Sequence, residues 1–175
     1  MPKITFIIGG ARSGKSWHAE QIAISRGKKK IYIATAEPID EEIKNRILLH
    51  QKRRGSEWIT TESPIELPKQ VENLSNSDNL LLIDCLTLWI NNLLYNNKNV
   101  TRYTNNLIES LKKTQSDVII VSNEVGIGIT PDNQIARQFR DYAGILHQQI
   151  AEISNSVILM VAGIPMVIKD TETKH

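Results

Sequence analysis

The sequence has little of what would place it in several large classes of protein. Cysteine occurs once, at Cys85, so no internal disulfide can form, which fits a reducing cytoplasm. Aromatic residues make up only 5% of the 175 residues and the formal net charge is +2. These values disfavour a stacking platform or a broad basic surface for nucleic acid. The apolar run Ile4–Ile8 is too short for a signal peptide, and no run approaches the length of a membrane span. We therefore expect a soluble, cytoplasmic protein without a nucleic-acid partner or a membrane span.

Short apolar runs alternate with longer helical patterns along the whole chain. The runs are continuous, as is typical of parallel strands covered on both faces: Ile4–Ile8, Ile31–Ala34, Leu80–Ile83, Val118–Val121 and Val157–Val161. This alternation predicts one α/β domain over residues 1–175, with three layers, a mostly parallel sheet and ligands at the carboxyl ends of its strands. The tail Gly163–Lys169 predicts an antiparallel hairpin strand at the sheet edge.

Helices are predicted where apolar residues recur every three or four positions. The predicted segments are Lys15–Ser25, a segment after Pro38, Thr87–Tyr95, Tyr103–Thr114 and Asn133–Ser154. In the last of these, the predicted inward stripe is Ile135, Phe139, Ile145, Leu146, Ile150 and Ile153. The string Asp141–Gly144 has the D-x-x-G spacing of GTPases, but it falls inside this helix and is interpreted as a coincidence.

The strongest motif is a glycine-rich loop between the first predicted strand and the first predicted helix. Its residues fit G-x-x-x-x-G-K-S: Gly9, Gly10, Ala11, Arg12, Ser13, Gly14, Lys15 and Ser16. Glycines let backbone N–H groups converge on an anion, and the helix start adds partial positive charge. The loop therefore predicts a nucleoside triphosphate site, in which Lys15 reaches the β/γ-phosphates and Ser16 contacts Mg²⁺.

A second nucleotide signal is the apolar run Leu80–Ile83, which ends in Asp84. An acid at the carboxyl end of a buried strand, beside a phosphate loop, supplies the hard oxygen that Mg²⁺ prefers. We expect Asp84 and Ser16 to hold the metal together.

His50 is the histidine with two open interpretations. It continues the Ile39, Ile43 and Ile47 face of the helix predicted after Pro38, which is the pattern of a histidine packed in a core or a subunit interface. It also precedes the basic run Gln51–Arg54, and a neutral imidazole beside cations can attack a phosphate ester. The pair Arg137 and Arg140 is equally open: these side chains can bind phosphate or pair with Asp141, Glu124 or solvent.

Taken together, the motifs resemble the bifunctional adenosylcobinamide kinase / adenosylcobinamide-phosphate guanylyltransferase family of cobalamin biosynthesis. The most specific strings are N-E-V-G-x-G-I-x-P over Asn123–Pro131 and A-R-x-F-R-D-x-A-G over Ala136–Gly144. The segments Tyr32–Ala36, Arg46–Trp58 and Gly163–Lys169 extend the resemblance over nearly the whole chain.

The resemblance implies a RecA-like P-loop fold, a homotrimer and two reactions. ATP or GTP phosphorylates adenosylcobinamide, and GTP then guanylylates His50 before GMP passes to adenosylcobinamide phosphate. The implied catalytic residues are His50 and Lys15, and the implied metal ligands are Ser16 and Asp84. The implied nucleotide contacts are Gly9 to Ser16, Ala34, Thr35, Ala36, Gln51, Lys52, Arg53, Arg54, Glu62 and Asp84. Family members can carry Glu where this chain has Asp84, and the run after His50 is more basic here.

Three other functions stay open on the sequence alone. The first is a simple P-loop kinase of a small alcohol, with His50 only packed. The second is a non-catalytic nucleotide-binding module, although the base-reading N-K-x-D of Ras-like switches is missing. The third is a nucleic-acid-dependent ATPase, which the low charge and the few aromatic residues disfavour.

Overall fold

A computed structural model of the protein describes residues 2–37 and 55–171. Seven strands form one sheet: β1 (Ile4–Gly9), β2 (Lys29–Ala34), β3 (Trp58–Glu62), β4 (Asn79–Asp84), β5 (Asp117–Asn123), β6 (Ser156–Val161) and β7 (Ile164–Asp170). Their order across the sheet is β3-β2-β4-β5-β1-β6-β7. All neighbours run parallel except β6 and β7. The predicted mostly parallel sheet with an antiparallel edge hairpin is confirmed.

Helices cover both faces of the sheet. The helices of the described ranges are α1 (Lys15–Ser25), α2 (Leu67–Asn73), α3 (Leu86–Tyr95), α4 (Val100–Lys113) and α5 (Gln134–Ile153). In β4, Leu80 and Leu82 pack on the face of α1, whereas Leu81 and Ile83 pack on the opposite face, against a core that includes Trp89 of α3. Successive strand residues point to opposite faces, so a strand covered on both sides must be apolar at every position. This is why the apolar runs of the sequence are continuous.

The long helix α5 corrects the stripe predicted for it. Ile135 is 71% exposed and Ile145 is 56% exposed, whereas Ala143, Leu146 and Ile150 are fully buried. The buried residues are spaced three and four apart, which is one face of a helix. Ile145 lies outside that face, whereas Ile135 is eleven residues before Leu146 and shares the face but is exposed in the first turn of α5.

One strand and one helix were not predicted. Strand β3 is an edge strand whose Ile59 is half-exposed, so it lacks the continuous apolar run of the others. Helix α2 has only seven residues, although the spacing of its buried Leu67 and Val71 is helical. The helix predicted after Pro38 lies outside the described residues.

Two of the described helices begin directly after a capping asparagine. The side chain of Asn99 accepts the backbone N–H of Arg102 at 2.9 Å, so α4 begins at Val100, three residues before the predicted start. Asn133 accepts the N–H of Ala136 at 2.7 Å in the same way at the start of α5. In the part of the chain that the structure describes, no helix has the length and apolar character to cross a membrane.

Candidate functional site

The glycine-rich loop connects β1 to α1 at the carboxyl edge of the sheet, as predicted. Gly14 precedes α1 with a φ of 93°, a left-handed conformation that favours glycine, and its carbonyl accepts the N–H of His18 at 3.0 Å. Lys15 is buried, and its Nζ lies 2.5 Å from the carbonyl oxygen of Gly10 and 3.5 Å from Oγ of Ser13. The ammonium of Lys15 therefore lies within the curve of the loop, next to the position where a phosphate loop holds its anion.

The phosphate loop packs against β6 and against the turn between β6 and β7. A Cβ on Gly9 would lie 2.5 Å from the carbonyl oxygen of Met160 and 2.8 Å from Oγ of Ser13. A Cβ on Gly14 would lie 3.4 Å from Cα of Gly163. Gly9 is therefore required by close backbone approach, whereas a Cβ on Gly14 would make ordinary van der Waals contact and Gly14 is favoured by its left-handed φ of 93°.

Ser16 and Asp84 meet, as the sequence predicted. The Ser16 hydroxyl donates to Oδ2 of Asp84 at 2.7 Å, joining the first turn of α1 to the end of β4. The Tyr32 hydroxyl donates to the same oxygen at 3.0 Å. A hydroxyl and a carboxylate at this distance are two hard oxygen donors of the type that bind Mg²⁺ beside a phosphate.

Three predicted binding residues lie in one row across the strand ends. Ala34 at the end of β2 pairs in register with Glu62 of β3 on one side and with Asp84 of β4 on the other. Glu62 is exposed, whereas Ala34 is buried. The sheet register therefore brings Glu62 and Ala34 to the same edge as the proposed metal ligand.

Thr35, the next residue, is fully buried and belongs to a polar network. Its Oγ1 donates to the carbonyl of Cys85 and accepts the N–H of Cys85, both at 2.8 Å. Its own carbonyl accepts from Nδ2 of Asn92 at 2.7 Å, and that amide also donates to the carbonyl of Pro64 at 3.1 Å. In this arrangement Thr35 holds the strand end in place.

Two other residues that can ionise near this edge are kept neutral. Burial, and secondarily the charge of Asp84, raise the pKa of the Cys85 thiol to about 11. Burial lowers the pKa of His147 to about 4, opposed by Glu124. His147 Nε2 lies 2.7 Å from Oγ of Ser122, and its ring packs against Phe6. Neither the thiol nor the imidazole carries charge at neutral pH, which fits a structural role for both.

Two polar residues at this edge, Tyr32 and Asn123, belong to segments that carry the family resemblance but were not predicted as site residues. Asn123 ends β5, pairs in register with Gly9 and donates from Nδ2 to the Thr87 hydroxyl at 3.2 Å. The sheet order places it between the phosphate loop and the strand of Asp84. A polar residue directly after an apolar run was a visible signal for Asn123. The contact of Tyr32 depends on the register between β2 and β4, which no local pattern predicts.

The two arginines of α5 are engaged with the loop that precedes the helix. Arg137 donates to the carbonyls of Pro131 and Asp132 at 2.9 and 2.6 Å. Arg140 donates to the Thr130 hydroxyl at 3.2 Å and pairs with Asp141 at 3.3 Å. These contacts favour the interpretation in which both side chains organise the loop. Asp141 itself lies within α5, as expected for a coincidental D-x-x-G string.

The remaining predicted site residues are placed as follows. Gly10, Ala11 and Arg12 form the exposed outer turn of the phosphate loop, where Arg12 has a left-handed φ of 56°. Ala36 is half-buried after the end of β2. His50, Gln51, Lys52, Arg53 and Arg54 lie outside the described residues.

Comparison with known proteins gives consistent matches over most of the chain. The family described as cobinamide kinase / cobinamide phosphate guanyltransferase matches residues 5–168. The bifunctional adenosylcobalamin biosynthesis protein CobP of Pseudomonas aeruginosa is 42% identical over 165 residues, covering 93% of this chain and 95% of that protein. The bifunctional adenosylcobalamin biosynthesis protein CobU of Escherichia coli is 35% identical over 178 residues, covering 93% of this chain and 98% of that protein.

Among solved structures, an ATPase of the type III secretion system of pathogenic bacteria superposes with a TM-score of 0.54. It is 11% identical, and the match covers 91% of this chain and 51% of that chain. A likeness at this identity concerns the fold alone, and it agrees with the predicted RecA-like P-loop architecture.

Proposed function

The chain belongs to the cobinamide kinase / cobinamide phosphate guanyltransferase family, and from this premise we propose that one site phosphorylates adenosylcobinamide and then joins GMP to the product. The family resemblance inferred from the motifs is confirmed, and the chain is a transferase that uses nucleotides. Family membership does not favour the simple kinase. The observation that supports the site most directly is the 2.7 Å contact between Ser16 and Asp84 at the mouth of the phosphate loop.

In the proposed kinase step, the triphosphate of ATP or GTP lies in the loop Gly9–Ser16. The hydroxyl oxygen of adenosylcobinamide attacks the γ-phosphorus, the bond to the β,γ-bridging oxygen breaks, and the hydroxyl proton is released. Lys15 neutralises charge that moves onto the departing diphosphate. Its buried position within the loop supports this role.

We assign Mg²⁺ to Ser16 and Asp84. The hydroxyl and carboxylate oxygens fit this ion, which usually combines one or two protein oxygens with phosphate oxygens and water. When bound, the ion neutralises phosphate charge. Ser16 and Asp84 would hold the metal beside the phosphate loop, on the first turn of α1 that also begins with Lys15.

In the proposed guanylyl transfer, a nitrogen of His50 attacks the α-phosphorus of GTP and pyrophosphate leaves. The product is a phosphoramidate between the imidazole and GMP. A phosphate oxygen of adenosylcobinamide phosphate then attacks the same phosphorus, the P–N bond breaks, and adenosylcobinamide-GDP is formed. The support for His50 is the family resemblance of the segment Arg46–Trp58 in the sequence.

The other nucleotide contacts are proposed on the same basis. Ala34 ends β2, the strand next to that of Asp84, and is followed by Thr35 and Ala36. Glu62 ends β3 on the far side of β2, which supports a place for the nucleotide along this edge. The basic run Gln51, Lys52, Arg53 and Arg54 is assigned to the triphosphate, since cations ease the departure of pyrophosphate.

We further propose that the whole chain is one domain that acts as a cytoplasmic homotrimer. The edge strand β7 supports association, because its Ile164, Val167 and Ile168 are each more than 60% exposed. An unpaired edge strand with apolar side chains is a surface on which another chain can pair.

Mass spectrometry after incubation with GTP and Mg²⁺ tests the nucleotidyl transfer. We expect one added GMP on the peptide that contains His50, in an acid-labile and base-stable linkage, and no adduct in His50→Ala. The variant His175→Ala is the matched control and keeps the adduct. Phosphorylation of adenosylcobinamide by labelled ATP survives in His50→Ala and is lost in Lys15→Ala. A GMP adduct that persists in His50→Ala contradicts the assignment.

A further inference from the structure

We propose that Tyr32 is a positioning residue for the metal site, because its hydroxyl orients the carboxylate of Asp84. This inference rests on the proposed assignment of Mg²⁺ to Ser16 and Asp84. Tyr32 is buried in β2, and its hydroxyl donates to Oδ2 of Asp84 at 3.0 Å.

Both hydroxyl donors act on the same carboxylate oxygen. Ser16 donates to Oδ2 of Asp84 at 2.7 Å, and Tyr32 donates to that oxygen as well. Rotation of the carboxylate about its Cβ–Cγ bond would break both hydrogen bonds. The two hydrogen bonds therefore hold the Asp84 carboxylate in one orientation. In that orientation Oδ1 has a defined direction and can bind a cation or a water molecule of its hydration shell.

The two donors differ in what they do when a cation arrives. Ser16 is itself a proposed metal ligand, so its oxygen must adjust to the ion. Tyr32 precedes Ala34 by two residues in β2, so the two side chains lie on the same face of the strand. Ala34 pairs in register with Asp84. Such a diagonal cross-strand position is within reach of an aromatic side chain. The Tyr32 bond therefore fixes the carboxylate from the sheet, independently of α1.

The phenol ring of Tyr32 is held by neighbouring strands and by Trp58. Tyr32 is central in β2, between Thr60 of β3 and Leu82 of β4 in the register. Its ring meets Trp58 edge-to-face, with centroids 6.5 Å apart and an interplanar angle of 78°. A rigid ring allows its hydroxyl to hold a carboxylate in place, as required of a group that supports a metal ligand.

The test is the metal dependence of nucleotide binding in Tyr32→Phe, which keeps the ring and removes only the hydroxyl. The ligand is α,β-methylene GTP, whose α–β bridge His50 cannot cleave. Its affinity is measured by calorimetry across a Mg²⁺ titration. We expect the Mg²⁺ concentration for half-maximal effect to rise about fivefold, the size of a typical net hydrogen bond, with metal-free binding unchanged.

Tyr103→Phe is the matched control. The Tyr103 hydroxyl donates to Oε1 of Glu66 at 2.8 Å, so the variant removes the same kind of bond away from the phosphate loop. We expect no change in its Mg²⁺ requirement. An equal requirement in Tyr32→Phe and the wild type overturns the proposal, as does a loss of metal-free binding to the same extent.

Asp84→Asn separates failure of this inference from failure of the metal site. If Asp84→Asn raises the Mg²⁺ requirement and Tyr32→Phe does not, only the role of Tyr32 is wrong. If neither variant changes it, the assignment of Asp84 as a metal ligand is wrong, and the role of Tyr32 falls with it.

Discussion

The backbone N–H of Gly163 donates to the carbonyl of Ser13 at 3.1 Å, so the turn between β6 and β7 is fastened to the phosphate loop. Gly163 has a φ of 81°, and its Cα is the nearest atom to the position that a Cβ on Gly14 would take. The loop is therefore supported from the edge hairpin as well as from β1 and α1. This links the geometry of the nucleotide site to a part of the sheet far along the chain.

Replacing Gly163 by alanine tests this support. A left-handed φ disfavours any side chain by about 1 kcal/mol, and the turn must shift to relieve the strain. We expect Gly163→Ala to lower the free energy of unfolding by about 1 kcal/mol and to weaken GTP binding several-fold. The control is Gly27→Ala after α1, where φ is 66° and a Cβ also meets nothing within 4 Å. It should show the same loss of stability with unchanged GTP affinity. Equal GTP affinities in the two variants would argue against the coupling.

Within the loop, Gly9 and Gly10 are predicted to respond differently to the same substitution. A Cβ on Gly9 would lie 2.5 Å from the Met160 carbonyl oxygen, whereas a Cβ on Gly10 meets nothing within 4 Å. Forcing β1 and β6 apart costs about 1–3 kcal/mol. In urea unfolding, Gly9→Ala should show this loss and Gly10→Ala should stay within about 0.5 kcal/mol of the wild type. A larger loss of unfolding free energy in Gly10→Ala than in Gly9→Ala would contradict this geometry.

The parts of the fold that could be predicted are those with a strong local signal. The five buried strands were visible because a strand covered on both faces must be apolar throughout. Strand β3 was missed because it lies at the sheet edge and because its only apolar residues, Trp58 and Ile59, are both partly exposed and are followed by Thr60, Thr61 and Glu62. The stripe of α5 was misjudged because Ile135 and Ile145 are apolar but exposed.

The candidate site also has contacts that the sequence could predict and contacts that it could not. The meeting of Ser16 and Asp84 was predictable, because one follows the phosphate loop and the other ends a strand at the same sheet edge. The bond from Tyr32 and the burial of Thr35 depend on which strands are neighbours and in what register. Local sequence patterns carry no information on that pairing, since it is decided by packing over the whole sheet.

Asn92 is predicted to stabilise the strand ends beside Asp84. Its amide is buried and donates to the carbonyls of Thr35 and Pro64. In Asn92→Leu both carbonyls lose a donor, which costs about 2 kcal/mol or more of unfolding free energy. The control is Asn96→Leu, since the Asn96 side chain is exposed and donates to the carbonyl of Asn92. Urea unfolding should separate the two variants, and a similar loss in both would count against the network.

The buried His147 predicts a specific dependence of stability on pH. Its pKa is about 4 in the folded protein and 6.5 when unperturbed, so the unfolded chain binds a proton first as the pH falls. Stability is therefore fully present above pH 6.5 and is lost between pH 6.5 and 4. By about pH 5, this one group lowers the free energy of unfolding by about 2 kcal/mol.

The variant His147→Asn removes the titrating group. It should therefore abolish the part of the loss in unfolding free energy at low pH that comes from the imidazole. The free energy of unfolding is measured in urea at about pH 7.5 and about pH 5, in the wild type and in the variant. Ser122→Ala is the control, because it removes the hydrogen-bond partner of the imidazole and leaves the imidazole in place. It should destabilise the protein at both pH values while keeping the steep decline between them, since burial is the main cause of the lowered pKa. If His147→Asn declines as steeply as the wild type, another group controls the acid sensitivity, and the imidazole is not held neutral by its burial against Phe6.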